Sequence, residues 1–260
     1  MSEITRARVV DNLAELHLRH SSEHLAEVLS AATKAEPTYL DFLDELLAEE
    51  LEAKRKRRSV MQLKIAHFPS VRTLAEFDFK AQPSIDERLV YELSTGQFVE
   101  AAENVLLFGP PGVGKTHLAI ALGRAVVDAG YPVLFTTTTA LLAALAQAEA
   151  SGPAALTERL TFYTKPKLLI VDELGYLPFE KKAAHLFFQL VAKRYERGSM
   201  MITTNQSVGR WGEVFGDDII AAAILDRLLH HSHTLNVSGD SYRMKQRRKA
   251  STATNVRNRS

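Results

Sequence analysis

The sequence predicts an α/β fold in which a parallel sheet is flanked by helices and preceded by a small helical domain. Apolar strand-like runs alternate with helical patterns between residues 104 and 203, which is typical of a parallel sheet covered on both faces. The chain before this region opens with helical patterns. We therefore expect a helical N-terminal domain over residues 1–68, an α/β domain over 69–250 and a disordered polar tail over 251–260.

The individual elements follow from periodicity and from helix-start signals. Thr38 and Asp41 resemble a capping box that begins a helix bearing leucines at 40, 43, 47 and 51, and Ser84 with Glu87 resembles another, for a helix over 85–93. An earlier helix is expected over 10–30. The expected strands are 105–108, 132–135, 168–171 and 200–203, and the expected helices among them are 117–129, 140–149 and 183–196.

A glycine-rich loop follows the first strand and carries the clearest chemical signal. Residues 109 to 116 read Gly-Pro-Pro-Gly-Val-Gly-Lys-Thr, a pattern whose backbone N–H groups cradle phosphates at the start of a helix. Lys115 would reach the β- and γ-phosphates, and the Thr116 hydroxyl would bind Mg²⁺. The residues expected to hold ATP are Gly109, Pro110, Pro111, Gly112, Val113, Gly114, Lys115, Thr116 and His117.

Two acids end the apolar run 167–171 at the same expected edge of the sheet. Asp172 suits Mg²⁺ coordination, directly or through water, and Glu173 suits polarising the water that attacks the γ-phosphate. Solvated acids at strand ends are common, so the interpretation depends on the phosphate loop upstream.

Two later residues extend the candidate site. Asn205 ends the strand-like run 200–204, so its amide could orient the same water, although asparagine is also ordinary in a turn after a strand. Arg227 lies within the apolar helical segment 221–229, although an exposed arginine or one paired with Asp226 would also fit there.

Composition limits the classes of function. The 260 residues carry 32 basic and 31 acidic side chains and no cysteine, which excludes disulfides and thiolate metal sites and favours a reducing cytoplasm. No apolar run reaches membrane-spanning length and no signal peptide is indicated, so a cytoplasmic protein without a membrane partner is expected.

Any affinity for nucleic acid must come from local clusters, because the net charge is only +1. Five consecutive cations, Lys54, Arg55, Lys56, Arg57 and Arg58, follow an acidic stretch of one expected helix. They predict contacts with DNA phosphates, although cations at a solvated helix C-terminus are also common. A further basic cluster extends from Arg243 to Lys249.

The order of these motifs resembles one family. The loop 109–116, the acids 172–173 followed by Leu-Gly-Tyr, the Thr-Thr-Asn at 203–205, the Asp-Arg-Leu at 226–228 and the Ser-Tyr-Arg at 241–243 are similar to the IstB family of transposition helper ATPases, AAA+ relatives of the DnaC helicase loader. The resemblance covers roughly residues 38 to 249. The region after Asn205 is short for a full helical lid, which departs from ordinary AAA+ enzymes.

The resemblance implies further roles. It places Asn205 at the sensor-1 position, Arg227 as the arginine finger supplied to a neighbouring subunit and Arg243 as the sensor-2 arginine. It also implies an AAA+ P-loop NTPase core, ATP-dependent homo-oligomers on duplex DNA, and delivery of a partner transposase to its target.

Three alternatives remain open from the sequence. A DnaC-like loader of a replicative helicase shares the same ATPase core. A nucleotide-gated DNA-binding scaffold with negligible turnover would carry the same motifs. A small-molecule kinase would use the same loop, but no arginine-rich lid lies between the strands.

Overall fold

The computed structural model describes residues 3–239 and residue 241. Contacts divide the chain into two compact units, the first ending at Met61 and the second beginning at Gln62. Arg243 with its neighbouring cations and the tail 251–260 lie outside the described residues. None of the described helices has both the length and the hydropathy needed to span a bilayer.

The first unit is helical. Its helices are α1 (Glu3–Glu15), α2 (Arg19–Ala35) and most of α3 (Tyr39–Ile65). The expectation of one helix over 10–30 is wrong, because His17 adopts a left-handed conformation (φ 58°) and the turn lets α1 pack against α2. The capping box at α3 is confirmed, since the Asp41 N–H donates to the Thr38 hydroxyl oxygen at 3.2 Å.

The second unit is built on a five-stranded, wholly parallel sheet with the strand order β2-β3-β4-β1-β5. The strands are β1 (Asn104–Phe108), β2 (Val133–Thr137), β3 (Leu168–Leu174), β4 (Ser199–Thr204) and β5 (Ser232–Asn236). The helices are α4 (Glu87–Ser94), α5 (Gln97–Glu100), α6 (Lys115–Asp128), α7 (Thr138–Ala150), α8 (Pro153–Thr164), α9 (Lys181–Arg194), α10 (Trp211–Phe215) and α11 (Asp218–Leu229).

Alternate residues of the central strands face two separate hydrophobic cores. Leu106 and Val171 pack into one core with α7, α9, α10 and α11, whereas Leu107 and Ile170 pack into the other with α4 and α6. Because both faces are buried, the strands consist of nearly continuous apolar residues. Because β1, β3 and β4 run parallel to one another, their carboxyl ends lie at the same edge of the sheet. The chemical motifs lie at this edge.

The structure adds elements that the sequence patterns did not indicate and moves one helix start. The fifth strand was missed because Leu235 is its one fully buried residue, so no apolar run marks it. Helix α4 is capped by Asp86, whose carboxylate accepts from the N–H of Arg88 at 2.9 Å. The expected cap, Ser84, instead exchanges hydrogen bonds with the backbone of Ser238, so that expectation is wrong.

A buried arginine, Arg194, links three parts of the second unit through hydrogen bonds to backbone carbonyl groups. Arg194 is 2% exposed, and burial lowers its pKa to about 10, so the guanidinium stays charged at neutral pH. Its Nη1 and Nη2 donate to the carbonyl oxygens of Tyr163, Pro166, Lys167 and Ser199, at 2.6–3.0 Å. The side chain therefore links the end of α8, the turn into β3 and the start of β4.

Replacing Arg194 by methionine should lower the free energy of unfolding by about 2–3 kcal/mol, because buried carbonyl groups lose a charged donor. Chemical denaturation with circular dichroism measures the change. Arg197→Met, at an exposed position on the following turn, is the matched control. Equal stability of the two variants would show that the carbonyl contacts contribute nothing net.

Candidate active site

The glycine-rich loop connects β1 to α6 as the sequence predicts. Gly109, Gly112 and Gly114 have φ values of 154°, 85° and 107°, and α6 begins at Lys115. A loop of this shape turns its N–H groups inward at a helix N-terminus, which forms an anion-binding surface.

The start of the loop is held between two neighbouring strand ends. The Gly109 N–H donates to the Thr204 carbonyl at 3.2 Å, and the Val237 N–H donates to the Phe108 carbonyl at 2.7 Å. A Cβ on Gly109 would collide with the Val237 carbonyl oxygen. Only glycine therefore fits here, both for its φ value and for the close approach of the chain after β5.

The loop lysine is buried against the loop itself. Lys115 is 7% exposed, and its Nζ donates to the carbonyls of Gly109 at 2.6 Å and Pro110 at 2.8 Å. The loop thus positions a cation beside the inward N–H groups. A bound phosphate would compete with these carbonyls for the ammonium protons.

Asp172 is the point at which three elements meet. Its carboxylate accepts from the Thr116 hydroxyl of α6 at 3.0 Å to Oδ1 and 3.1 Å to Oδ2, and from the Thr203 hydroxyl of β4 at 2.5 Å. Its carbonyl oxygen accepts from the Thr138 hydroxyl of α7 at 3.0 Å. Asp172 is 4% exposed, so these donors stabilise a buried carboxylate.

Glu173 is turned out of the strand by a local irregularity. The β3–β4 register shifts between Val171 and Leu174, and Glu173 has a φ of 64° although it is not glycine. Its N–H donates to the Thr203 hydroxyl oxygen at 3.0 Å. Bulges and left-handed residues of this kind are concentrated at functional sites, where they re-aim a side chain. Glu173 is consequently exposed to the cavity described next.

A cavity of about 460 Å³ lies at this edge of the sheet, within the range of ligand sites. Residues 111–117 of the predicted phosphate loop line it, together with Glu173 and Thr203. Gly109 and Pro110 are not among the residues that line the cavity. Their carbonyl oxygens instead accept hydrogen bonds from Lys115 Nζ.

Much of the remaining wall comes from a segment whose role in the site the sequence analysis missed. It consists of Pro69, Ser70, Arg72, Glu76, Phe77, Asp78 and Gln82. The Phe77 ring meets the His117 ring edge-on at 5.4 Å between centroids, and His117 Nε2 lies 3.1 Å from the Thr73 carbonyl oxygen. A hydrogen bond from the Thr73 N–H lowers the pKa of the Glu76 carboxyl. Aromatic residues before the phosphate loop were the available signal.

The oxygen donors present fit Mg²⁺. The Thr116 hydroxyl and the Asp172 carboxylate lie about one hydrogen bond apart, at 3.0 Å, beside the phosphate loop. Mg²⁺ binds few protein oxygens and keeps substrate phosphates and waters as its other ligands. These two side chains would hold it.

Two of the remaining site candidates, Asn205 and Arg227, do not line the cavity. Asn205 follows β4 and is half-buried, and its Oδ1 lacks a hydrogen-bond partner among the described residues. Arg227 is half-buried on α11, where Nη1 donates to the Ala223 carbonyl at 2.8 Å and the guanidinium lies 4.9 Å from the centre of the Phe188 ring. Neither is among the described residues that line the cavity. Arg243 lies outside the described residues.

The five predicted DNA-binding cations lie on α3 and are exposed, but they differ in their contacts. Arg57 Nη2 donates to Glu50 Oε1 at 2.9 Å, and the Ser21 N–H donates to Glu50 Oε2 at 2.9 Å. Glu50 is 2% exposed. Burial raises the pKa of its carboxyl, but the hydrogen bonds from Ser21 and Arg57 together lower it by more, so the net effect is a lowered pKa. Arg57 therefore neutralises a buried acid, a role that the sequence analysis did not separate from that of its neighbours.

The sheet order, the phosphate loop and the acids at the neighbouring strand end define a P-loop nucleotide-binding protein with an AAA+ core. The chain belongs to the family of IstB-like ATP-binding proteins, whose model matches residues 11–250. It is 48% identical to the ATP-binding protein of insertion sequence IS21 from Pseudomonas aeruginosa, over 93% of this chain and 91% of that one. It is 40% identical to the ATP-binding protein of insertion sequence IS5376 from Geobacillus stearothermophilus, over 94% and 96%.

Solved structures support the same fold. DnaI superposes with a TM-score of 0.52 at 20% identity, over 65% of this chain and 89% of that one. DnaA from Aquifex aeolicus bound to AMPPCP superposes with a TM-score of 0.55 at 18% identity, over 67% and 52%. At these identities the likeness establishes the fold alone.

Proposed function

We propose that this protein is a Mg²⁺-dependent ATPase that assembles on duplex DNA and delivers or stimulates a partner transposase during insertion of a mobile element. Family membership and relatives named as ATP-binding proteins of insertion sequences support the biological setting. The observation that carries the chemistry is Glu173, which the β3–β4 irregularity presents to the cavity beside the phosphate loop.

In this proposal each side chain has a separate task. Lys115 and the loop N–H groups bind the β- and γ-phosphates, and the Glu173 carboxylate accepts a hydrogen bond from the attacking water and orients it. Thr116 and Asp172 hold Mg²⁺, which when bound offsets charge on the phosphate oxygens. Thr203 keeps Asp172 in place through its hydroxyl.

Binding and hydrolysis should respond separately to two variants. Lys115→Ala should abolish ATP binding, because it removes a cation that compensates phosphate charge in the ground state. Glu173→Gln should keep the affinity and lower turnover about 10²–10⁴-fold, because it acts on the attacking water alone. Calorimetric ATP binding and phosphate release measure the two effects.

Lys165→Ala and Glu158→Gln, at exposed positions on or beside α8, are matched controls that should resemble the wild type. Equal loss of ATP affinity in Lys115→Ala and Glu173→Gln would refute the division of roles.

Arg227 is proposed to act across a subunit interface, because it does not line the cavity of its own chain. Turnover per protomer should then rise with protein concentration. Arg227→Ala should nearly silence turnover and leave monomeric ATP binding intact, since arginine fingers contribute about 10³–10⁵ in rate in GTPases. Arg197→Ala is the exposed control.

Mixing Arg227→Ala with Glu173→Gln protein tests the trans assignment directly. A mixed interface can pair an intact arginine with an intact glutamate, so phosphate release should partly recover. If co-assembled mixtures stay as inactive as their components, Arg227 does not act in trans.

We propose that Lys54, Arg55, Lys56 and Arg58 contact DNA. Arg57 is omitted from this set because it pairs with the buried carboxylate of Glu50. A run of cations without interleaved amides or aromatic rings contacts phosphates rather than base edges. Changing these four residues to alanine should flatten the plot of log K against log salt by about 0.9 for each DNA phosphate that the variant no longer neutralises. ATP should tighten binding by assembling many sites on one duplex.

The variant retains Arg57, so the buried carboxylate of Glu50 stays paired. A control with the same change in net charge replaces Lys165, Lys181, Lys193 and Arg197, which are exposed in the second unit. An unchanged salt slope in the folded test variant would move the DNA surface away from α3, with the cations at 243–249 as the next segment to test.

A further inference from the structure

Gln82 is a buried amide at the wall of the nucleotide cavity. The residue is 3% exposed and is among those that line the cavity. Both side-chain atoms, Oε1 and Nε2, are shut off from solvent and have no hydrogen-bond partner among the described residues. Most buried polar side chains in proteins are hydrogen-bonded, and an unsatisfied buried group costs about 1–3 kcal/mol. An amide with both atoms unpaired, beside a ligand cavity, indicates that a ligand supplies the partners.

The backbone around Gln82 is already committed, so only its side chain is available. Its N–H donates to the Phe79 carbonyl at 3.0 Å, and its carbonyl accepts from the Ile85 N–H at 3.1 Å. These bonds fix the backbone position from which the side chain extends. A backbone that is already ordered lowers the entropy that a ligand contact costs.

The segment after β5 closes in on the same amide. Ser84 and Ser238 exchange hydrogen bonds at 2.8 and 3.0 Å, which ties this segment to the turn that follows Gln82. A Cβ on Gly239, whose φ is 148°, would lie 2.7 Å from Gln82 Oε1. Glycine therefore leaves the space in which the amide lies.

The chemistry of an amide selects the part of the nucleotide that it would bind. An uncharged group with one donor end and one acceptor end is a poor partner for phosphate, which the loop N–H groups and Lys115 already serve. Adenine presents a donor, the N6 amino group, directly beside an acceptor ring nitrogen, and glutamine binds this pair with two hydrogen bonds. Pro69, Phe77 and Ile120 in the same wall provide apolar surface for a purine ring.

We infer that Gln82 is the residue that reads the base of the bound nucleotide, with Oε1 accepting from the adenine N6 amino group and Nε2 donating to the adjacent ring nitrogen. This inference rests on the proposed ATPase function and assigns the base specificity of the same site. The contact is made to the base alone, so it contributes equally to the binding of ATP and ADP.

The test compares ATP with purine riboside triphosphate, which lacks the 6-amino group, by calorimetry on the full chain. The wild type should bind ATP about tenfold to hundredfold more tightly than the analogue, because the analogue leaves Oε1 buried and unpaired. Gln82→Met, which has a similar volume and no amide, should bind the two nucleotides equally. Gln97→Met, at an exposed position on α5, is the matched control and should discriminate as the wild type does.

The outcomes separate this inference from the proposed function. If the wild type binds no nucleotide, the ATPase proposal itself fails. If it binds ATP and the analogue equally, or if Gln82→Met still discriminates, the site stands and the role of Gln82 is wrong. A second comparison uses 2′-deoxy-ATP, which lacks the ribose 2′-hydroxyl. If Gln82→Met no longer discriminates between ATP and 2′-deoxy-ATP but still discriminates between ATP and purine riboside triphosphate, the amide contacts the ribose and the inference is wrong. Should Gln82→Met fail to fold, Gln82→Asn, which keeps the amide but shortens its reach, gives the same comparison.

Discussion

The site depends on one buried carboxylate, Asp172, and on the hydroxyl groups that surround it. Thr116 of α6 and Thr203 of β4 both donate to it, and Thr138 of α7 donates to its carbonyl oxygen. A carboxylate buried without donors would take up a proton or leave the interior. The same hydrogen bonds that permit its burial therefore fix the phosphate-loop helix, two strand ends and α7 relative to one another.

This network also explains the backbone of Glu173. Thr203 donates its hydroxyl proton to Asp172 and accepts from the Glu173 N–H with the same oxygen. The Glu173 backbone is thereby held in a left-handed conformation that a glutamate rarely adopts. A strained residue persists only where its surroundings over-determine it. Two consecutive residues of β3 thus differ in their surroundings. The Asp172 carboxylate is buried in the network, whereas the Glu173 carboxylate is exposed to the cavity.

The parts of the fold that were predictable are those with strong local signals. The glycine-rich loop, the central strands and the acids after β3 each have a distinctive pattern, and the structure places them together because parallel strand ends share one edge. Strand β5 was not predictable because it is an edge strand with mostly polar residues. Ser84 was misassigned because its partner, Ser238, lies far along the sequence. The pairing of Arg57 with buried Glu50 was hidden inside a uniform run of cations.

The balance of charge around the cavity bears on the proposed hydrolysis. Among the described residues that line it, the acids Glu76, Asp78 and Glu173 face the cations Arg72 and Lys115 and the ionisable His117. Lys115 also donates to two loop carbonyls. Phosphoryl transfer spreads negative charge over the oxygens of the transferred group, and catalysis depends largely on cations placed against it. In the proposed function, Mg²⁺ and the arginine assigned to a neighbouring subunit would add positive charge to this wall, and turnover would then depend on assembly.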